Sequence, residues 1–210
     1  MKKKTKKPLF NHEKNLGKTF DLVFGIDEVG RGAFAGPLIA CAISFNNQYS
    51  WFSDVNDSKL LTPKKRERIS KLILKNSLCF IETIDVEVIN EFGVGEANKI
   101  AFENLVNRIR DEYKNRKIHF LIDGRKKNIN YEHIEYVVKG DQKHISIAAA
   151  SIVAKVFRDS LMKEYSKVYR EYKFSKNKGY GTKFHRESLK KLGLSKIHRT
   201  SFKLSKFLSL

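Results

Sequence analysis

The sequence predicts an α/β layered domain. Apolar runs of strand length alternate with long segments that have helical spacing of their apolar residues. The chain has 210 residues, of which 41% are hydrophobic, and this suits one domain with a substantial core. No internal repeat or low-complexity linker interrupts the pattern. These observations exclude a disordered chain and a repeat protein.

Five segments have the character of strands. The first, "LVFGIDE", ends at the acidic pair Asp27-Glu28. The second, "PLIACAISF", is apolar almost throughout, which is typical of a strand buried on both faces. The others are "LCFIETIDV", "KIHFLIDG", which ends near Asp123, and "IEYVVKGD", which ends at Asp141.

Helical patterns separate these strands. In "TPKKRERISKLILKN", Thr62 is a cap and Pro63 occupies the first helical position. A turn followed by an amphipathic helix from about Gly95 is predicted next. The segment "ISIAAASIVAKVFRDSLMKEYSKVY" predicts a long helix that packs closely at its alanine-rich start. Within this helix, we expect Arg158 and Asp159 to form a structural ion pair. From about Phe174 we expect a loop, a short helix near "TKFHRESLKKLG" and a tail.

The charge predicts a polyanionic partner. Lys and Arg number 42 against 23 Asp and Glu, which gives a formal charge of +19. Nucleic acid is favoured over a membrane, because no long apolar segment is present; the alternative is a cationic surface that serves only solubility.

Residues 1–20 are interpreted as a mobile basic arm that adds phosphate contacts, or as a silent tail. Cys41 and Cys79 lack CxxC spacing and predict reduced core residues in a cytoplasmic protein.

Three predicted strands end in acids: Asp27-Glu28, Asp123 and Asp141. Carboxylates brought together repel each other unless cations neutralise them. Oxygen-only ligands suit Mg²⁺ or Mn²⁺, and two such ions can activate a water and stabilise a leaving oxygen in phosphodiester cleavage. Each acid alone is more consistent with an ordinary turn after a strand. Together, in so basic a chain, they favour a metal site.

Several motifs resemble bacterial ribonuclease HII. They are "GIDEVGRGAFAGPLIACAI", "DSKLL", "LIDG", "VVKGDQKHISIAAASIVAKVFRD", "NKGYGTKFH" and "IHRTSF", and they extend from about residue 22 to residue 202. The resemblance implies a ribonuclease H-like fold, with a mixed central sheet flanked by helices and a small helical C-terminal part. It divides the chain into the arm, a catalytic domain over 21–172 and a substrate-binding part over 173–210. The related ribonuclease HIII has a separate N-terminal domain, for which about 20 residues are too few, so HII is preferred.

The resemblance also implies an activity. The family cleaves the RNA strand of RNA–DNA hybrids, and it cleaves on the 5′ side of single ribonucleotides in duplex DNA, leaving 3′-hydroxyl and 5′-phosphate ends. The expected cofactor is Mg²⁺ or Mn²⁺, with two ions during catalysis. The expected partner is the nucleic acid substrate, with no membrane and no obligatory protein partner, so we expect a monomer.

The resemblance assigns a role to each candidate residue. Asp27, Glu28, Asp123 and Asp141 match the metal-coordinating acids, and Gly30, Arg31, Gly32, Lys59 and Tyr180 match substrate-binding residues. The glycine–arginine–glycine element grips the ribonucleotide and its 2′-hydroxyl through backbone groups, which predicts that both glycines make room for the ligand. Tyr180 matches a tyrosine that stacks on the neighbouring sugar, and Lys59 a lysine near the substrate backbone.

The chain departs from the family pattern at two places. Ala33-Phe34 stands where Pro-Leu is usual, and Gly181 stands where Pro or Ala is common, which predicts a looser hold on Tyr180.

Two other functions are consistent with parts of the sequence. One is a different metal-dependent nuclease or strand-transfer enzyme, which has no need of the glycine–arginine–glycine element and the tyrosine. The other is a non-catalytic basic RNA-binding module, which leaves the acids unexplained.

Overall fold

The computed structural model describes residues 7–208. Its centre is one five-stranded sheet, which confirms the five predicted strands. In chain order they are β1 (Leu22–Val29), β2 (Leu38–Ser44), β3 (Leu78–Ile84), β4 (Ile118–Asp123) and β5 (Ile134–Val137). The spatial order is β3-β2-β1-β4-β5, with antiparallel pairs on the β2–β3 side and parallel pairs on the β4–β5 side. The sheet is therefore mixed, and the strand that carries Asp27 and Glu28 is central.

Helices surround the sheet. They are α1 (Asn11–Leu16), α2 (Pro63–Asn76), α3 (Val86–Glu112), α4 (Ile145–Val168), α5 (Phe174–Asn177) and α6 (Lys183–Leu192). The start of α2 is as predicted, because the Thr62 side chain accepts a hydrogen bond from the amide of Lys65 at 3.3 Å. Helix α3 packs on one face of the sheet, and α4 packs on the other face beside α2. The predicted α/β layered architecture is confirmed.

Alternation along β1 decides which helix each site residue faces. Phe24 and Ile26 are buried against α3, so Gly25 and Asp27 face α4. A Cβ atom at Gly25 would lie 2.4 Å from the backbone nitrogen of Ile147, so only glycine allows α4 to lie this close to the central strand. This close packing brings the α4 side chains to the level of Asp27.

One predicted boundary was wrong, and one helical part was not predicted. The amphipathic helix predicted from about Gly95 follows a kink at Gly93, which has φ 76°, but a first helical part begins earlier, at Val86, where the sequence predicted a turn. The strand before Asp141 ends at Val137, and Asp141 lies in a 3₁₀ turn, Gly140–Gln142. Both differences arise because short segments take their conformation from tertiary contacts rather than from their own periodicity.

The N-terminal segment is folded where the structure describes it. Residues 1–6 of the predicted basic arm lie outside the described residues. Further along, Phe10 packs edge-on against Phe52 with ring centroids 5.2 Å apart, and Glu13 in α1 is 3% exposed. Residues 8–20 thus belong to the folded body, which corrects the expectation of a mobile arm there.

The C-terminal part packs on the end of α4. Phe174 and Leu189 are buried together with Met162 of α4 and Ala35 of the loop after β1. This cluster places residues 178–181 beside that loop. Within residues 7–208, no helix is long and apolar enough to cross a membrane.

Candidate active site

The four predicted acids line one cleft of about 450 Å³. It lies at the end of the sheet where β1 and β4 finish. Lys59 and Tyr180 line the same cleft, so the structure brings together six of the nine predicted site residues. The remaining lining residues are Val29, Ser58, Ser151 and Lys155.

Asp27 is held rigidly at the base of the cleft. Its Oδ1 accepts a hydrogen bond from the amide of Glu28 at 2.7 Å. Hydrogen bonding by the Ser151 side chain lowers the pKa of the same carboxyl group. Ser151 is held in turn by Ser58, with the two Oγ atoms 3.0 Å apart. Burial, and then the charges of Glu28 and Asp123, raises the pKa of Asp27 well above its usual range.

Glu28 points to the other face of β1. Its Oε1 lies 3.6 Å from the Arg31 guanidinium, while its Oε2 is buried and has no hydrogen-bond partner among the described residues. Burial raises the pKa of Glu28, against the lowering effect of Lys127 and Arg31. A buried carboxylate oxygen without a donor is costly unless another ligand meets it.

The other two acids are joined through the backbone. The Asp123 Oδ1 accepts a hydrogen bond from the amide of Gly140 at 2.6 Å, which draws the 3₁₀ turn toward the end of β4. Asp141 is 8% exposed. Burial, and then the charges of Asp57 and Asp123, raises the pKa of Asp141, and Lys59 opposes this. The exposed Lys59 side chain thus lies close enough to act on the acids.

These residues fit a divalent cation. Over residues 7–208, no group of three or more His, Cys, Asp or Glu side chains is already arranged to hold an ion. The acids nevertheless share a cleft, the charge of Asp123 helps to raise the pKa of the other three, and Oε2 of Glu28 has no partner among the described residues. A bound cation would relieve each of these costs, and an all-oxygen donor set suits Mg²⁺ or Mn²⁺.

The glycine–arginine–glycine element forms the loop that leaves β1 beside the cleft. A Cβ atom at Gly32 would meet nothing within 4 Å, so this glycine leaves open space, as predicted. Gly30 has φ +99°, and a Cβ atom there would lie 2.4 Å from Nε of Arg158. Gly30 therefore serves a tight turn and internal packing, a role that the sequence did not predict, while its contact with a ligand stays a prediction.

Tyr180 reaches the cleft from the C-terminal part. Its segment forms a β-bridge with Ala33 of the loop, so the tyrosine and the loop are joined directly. The Arg158 guanidinium carbon lies 5.5 Å from the ring centroid, and the Lys155 Nζ lies 5.8 Å from it. Attraction between these two cations and the aromatic ring stabilises the Tyr180 side chain in this position.

The contribution of α4 to the cleft was not predicted from the sequence. Ser151, Lys155 and Arg158 follow one another at spacings of four and three residues, so they lie on one helix face. In the first fourteen residues of the helix, which apart from Ser146 are otherwise apolar and rich in alanine, this polar row was the available signal.

The comparisons with known proteins show the family of the chain. A profile described as Ribonuclease HII matches residues 24–205. The chain belongs to the ribonuclease HII family. Ribonuclease HII of Lactobacillus delbrueckii subsp. bulgaricus is 41% identical over 194 residues, which are 92% of this chain and 73% of that protein. The Clostridium botulinum strain Hall protein is 40% identical over 199 residues, 92% of this chain and 72% of its own. Membership of this family makes the protein an endoribonuclease of the ribonuclease H type that acts on RNA–DNA hybrids.

Solved structures confirm the ribonuclease H-like fold. Ribonuclease HII from Archaeoglobus fulgidus, solved in complex with PCNA, has a TM-score of 0.74 and 22% identity, covering 86% of this chain and 95% of its own. Bst-RNase HIII, solved in complex with Mn²⁺, has a TM-score of 0.67 and 18% identity, covering 89% of this chain and 68% of its own. Identities this low show the fold alone.

Proposed function

We propose that the protein cuts on the 5′ side of single ribonucleotides embedded in duplex DNA, and that it also cuts within the RNA strand of hybrids. Cleavage would proceed by two-metal-ion hydrolysis and would leave 3′-hydroxyl and 5′-phosphate ends. One observation carries the proposal. The acids share one cleft with Tyr180, and the open side of Gly32 lies on the loop joined to that tyrosine. Residues suited to cleavage and residues suited to reading a sugar are therefore neighbours.

Asp27, Glu28, Asp123 and Asp141 would hold the ions. Mg²⁺ or Mn²⁺, when bound, would supply an activated water and charge stabilisation for the leaving oxygen. The Mn²⁺ complex of the ribonuclease HIII neighbour supports this choice of cation. The protein supplies preorganisation: the Glu28 amide and Ser151 fix the Asp27 carboxylate, and the Gly140 amide fixes that of Asp123.

The other side chains would position the nucleic acid. Tyr180 presents an aromatic ring to a deoxyribose, where a 2′-hydroxyl would fit poorly. Lys59, exposed at the cleft, would contact a phosphate. All of these groups come from one chain, so the proposed reaction calls for no side chain from a second subunit.

The direct test is cleavage of a labelled DNA duplex that carries one ribonucleotide, with Mg²⁺ or Mn²⁺ supplied. We expect a single cut on the 5′ side of the ribonucleotide and no cut in the same duplex made entirely of DNA. Failure to cut with either ion, or equal cutting of both duplexes, would overturn the proposal.

Asp27→Asn tests the role of the acids. The amide keeps the size of the side chain but removes the charge that would hold a cation, so we expect cleavage to fall by about three orders of magnitude or more. Binding of the duplex, measured by fluorescence anisotropy, should persist. Asp111→Asn, at an exposed position in α3, is the matched control and should cleave normally. Near-normal turnover by Asp27→Asn would remove Asp27 from the site.

A further inference from the structure

Two buried arginines lie behind the loop that contains Gly30, Arg31 and Gly32. Arg158 in α4 and Arg199 after α6 are each 0% exposed. Neither forms a carboxylate ion pair within 4 Å among the described residues. The predicted Arg158-Asp159 pair is wrong, because Asp159 pairs with Lys155 at 2.5 Å instead. Buried cations without a counter-ion are costly, so other groups must stabilise them.

Their side chains bind backbone carbonyl groups. The Arg199 guanidinium donates to the carbonyl oxygens of Gly30 at 2.7 Å, of Arg31 at 3.0 Å, and of Gly36 at 2.7 and 3.0 Å. The Arg158 guanidinium donates to those of Pro37 at 2.9 Å, Ala35 at 3.0 Å and Lys178 at 2.8 Å. Together they hold both ends of the loop and tie it to the segment before Tyr180.

This bonding orients the other side of the peptide groups. The structure has no cis peptide bond among the described residues, so each N–H points opposite to the C=O of the same peptide. The carbonyls of Gly30 and Arg31 turn inward to Arg199, and therefore the amides of Arg31 and Gly32 turn away from it. Both residues are exposed, and neither amide donates to an acceptor in the part of the chain described. Two adjacent donors are thus presented to solvent.

The charges strengthen these donors. A carbonyl that accepts from a cation polarises its peptide and makes the N–H a stronger donor. Burial, and then repulsion by Arg158, lowers the pKa of Arg199 to about 9, so its guanidinium group remains charged at neutral pH. Burial also lowers the pKa of Arg158, and a guanidinium group stays protonated in proteins. The glycine at position 30 serves the same arrangement, because any Cβ atom there would strike Arg158.

We propose that Arg199 and Arg158 are positioning residues for substrate selection, which fix the amides of Arg31 and Gly32 outward so that they donate to the oxygen of a ribose 2′-hydroxyl. The inference rests on the proposed function, since it needs a substrate that carries a ribonucleotide. It assigns selectivity to two residues that touch no substrate and lie on the far side of the loop.

The test compares binding of two duplexes that differ by one 2′-hydroxyl. Arg199→Lys and Arg158→Lys, each made together with Asp27→Asn to prevent cleavage, keep the positive charge but lose the planar fork. By fluorescence anisotropy, we expect the preference for the ribonucleotide duplex to fall about tenfold, as for one or two weakened hydrogen bonds. Affinity for the all-DNA duplex should change less than about twofold, since surface cations set it.

Arg110→Lys is the matched control, because Arg110 is exposed at the end of α3 and lies over the Tyr131 ring. It should leave both affinities unchanged. An equal loss for both duplexes in the Arg199 and Arg158 variants, or an unchanged preference, would overturn the inference. If the Asp27→Asn parent itself shows no preference between the duplexes, the proposed function has failed instead.

A measurement that needs no arginine variant covers the case in which the variants do not fold. Titrating ¹⁵N-labelled Asp27→Asn protein with each duplex should shift the amide resonances of Arg31 and Gly32 with the ribonucleotide duplex and much less with all-DNA. If these two resonances respond equally to both duplexes, the amides do not read the 2′-hydroxyl and the inference is wrong.

Discussion

At the residue scale, two departures from the family pattern occupy the same space. A Cβ atom at Gly181 would lie 2.2 Å from Cε2 of Phe34, whose ring also stacks on Phe207 with centroids 5.5 Å apart. The larger side chain at position 34 therefore fills the volume that a side chain at position 181 would need. Because Phe34 packs against the segment that follows the tyrosine, this contact opposes the loosening of Tyr180 that was expected from Gly181.

We predict that Gly181→Ala destabilises the protein by about 1–3 kcal/mol, because the added methyl group overpacks the site. Gly181 does not have positive φ, so the backbone itself accepts alanine. Phe34→Leu should also be destabilising, through lost packing, by a similar amount. Urea unfolding of the four proteins of a double-mutant cycle measures both effects.

The cycle decides whether the two positions are coupled. We expect the double variant to be more stable than the sum of the single changes predicts, by about 1–2 kcal/mol. Simple additivity would show that Phe34 and Gly181 do not compensate each other. Gly17→Ala is the control for a glycine at a helix end, where a Cβ atom would come no closer than 3.4 Å to Glu13 O.

At the scale of secondary structure, α1 anchors the helix that supports the cleft. The Glu13 carboxylate accepts hydrogen bonds from both the amide and the hydroxyl of Ser146, each at 2.9 Å. Ser146 is in the first turn of α4, where free amides and the helix dipole favour a negative charge. The start of α4 therefore depends on a residue more than a hundred positions earlier.

We predict that Glu13→Ala lowers the free energy of unfolding by about 1–2 kcal/mol, as for loss of a helix cap. Glu13→Gln keeps an acceptor oxygen but not the charge, so its loss should be smaller. Thermal unfolding of both variants checks the order. Lys14→Ala, at the exposed neighbouring position, should change little. If Glu13→Ala is as stable as the parent, α1 does not anchor α4.

Long patterns could be predicted from the sequence, whereas short ones could not. The five strands, α2 and α4 follow from apolar runs and periodicity that local residues supply. Helix α1 has six residues, too few to be stable alone, and forms because Phe10 and Glu13 find distant partners. The first part of α3 was read as a turn because Gly93 interrupts it.

At the scale of the whole molecule, the acids of the candidate site could be predicted because each lies at the end of a strand or shortly after it. Their supports could not, because the contacts of Ser151 with Ser58 and of Arg199 with Gly30 join residues about 90 or more positions apart. The charge reversal at Asp27 and Glu28 was visible in the sequence. The buried arginines were hidden among the many cations of a chain with a formal charge of +19.

A buried pair of histidines, His185 and His198, links segments of the C-terminal part through hydrogen bonds. The Ser195 amide donates to Nδ1 of His198 at 2.8 Å, so the hydrogen of that ring is on Nε2. His198 Nε2 therefore donates to His185 Nε2 at 2.9 Å, and His185 Nδ1 donates to the carbonyl of Tyr180 at 3.0 Å. Both rings are neutral in this chain of hydrogen bonds, and a further proton on either one would remove an acceptor.

The pair makes stability depend on pH. Burial, and then the neighbouring His185, lowers the pKa of His198 to about 4, and burial also lowers that of His185. A folded pKa below the unfolded value of about 6.5 means that the stabilisation is complete above pH 6.5 and is lost as the pH falls toward 4. His198 alone contributes a loss of about 2–3 kcal/mol over this range.

The buried acids act in the opposite direction. The folded pKa values of Asp27, Glu28 and Asp141 are raised, so protonation of these groups stabilises the folded state as the pH falls. The total pH dependence is therefore not diagnostic of the histidines. The difference between the parent and a histidine variant isolates them, because the acids are common to both proteins.

His198→Asn is the variant of choice, because its Oδ1 replaces Nδ1 as acceptor for the Ser195 amide but cannot take up a proton in this range. At pH 7.5 we expect it to be less stable than the parent by about 1 kcal/mol, through loss of the hydrogen bond to His185. Between pH 6.5 and 4.5, urea unfolding should show a markedly smaller decline in the variant than in the parent. Equal declines would mean that His198 is not held neutral, and the chain of hydrogen bonds from Ser195 to Tyr180 would then have to run in another order.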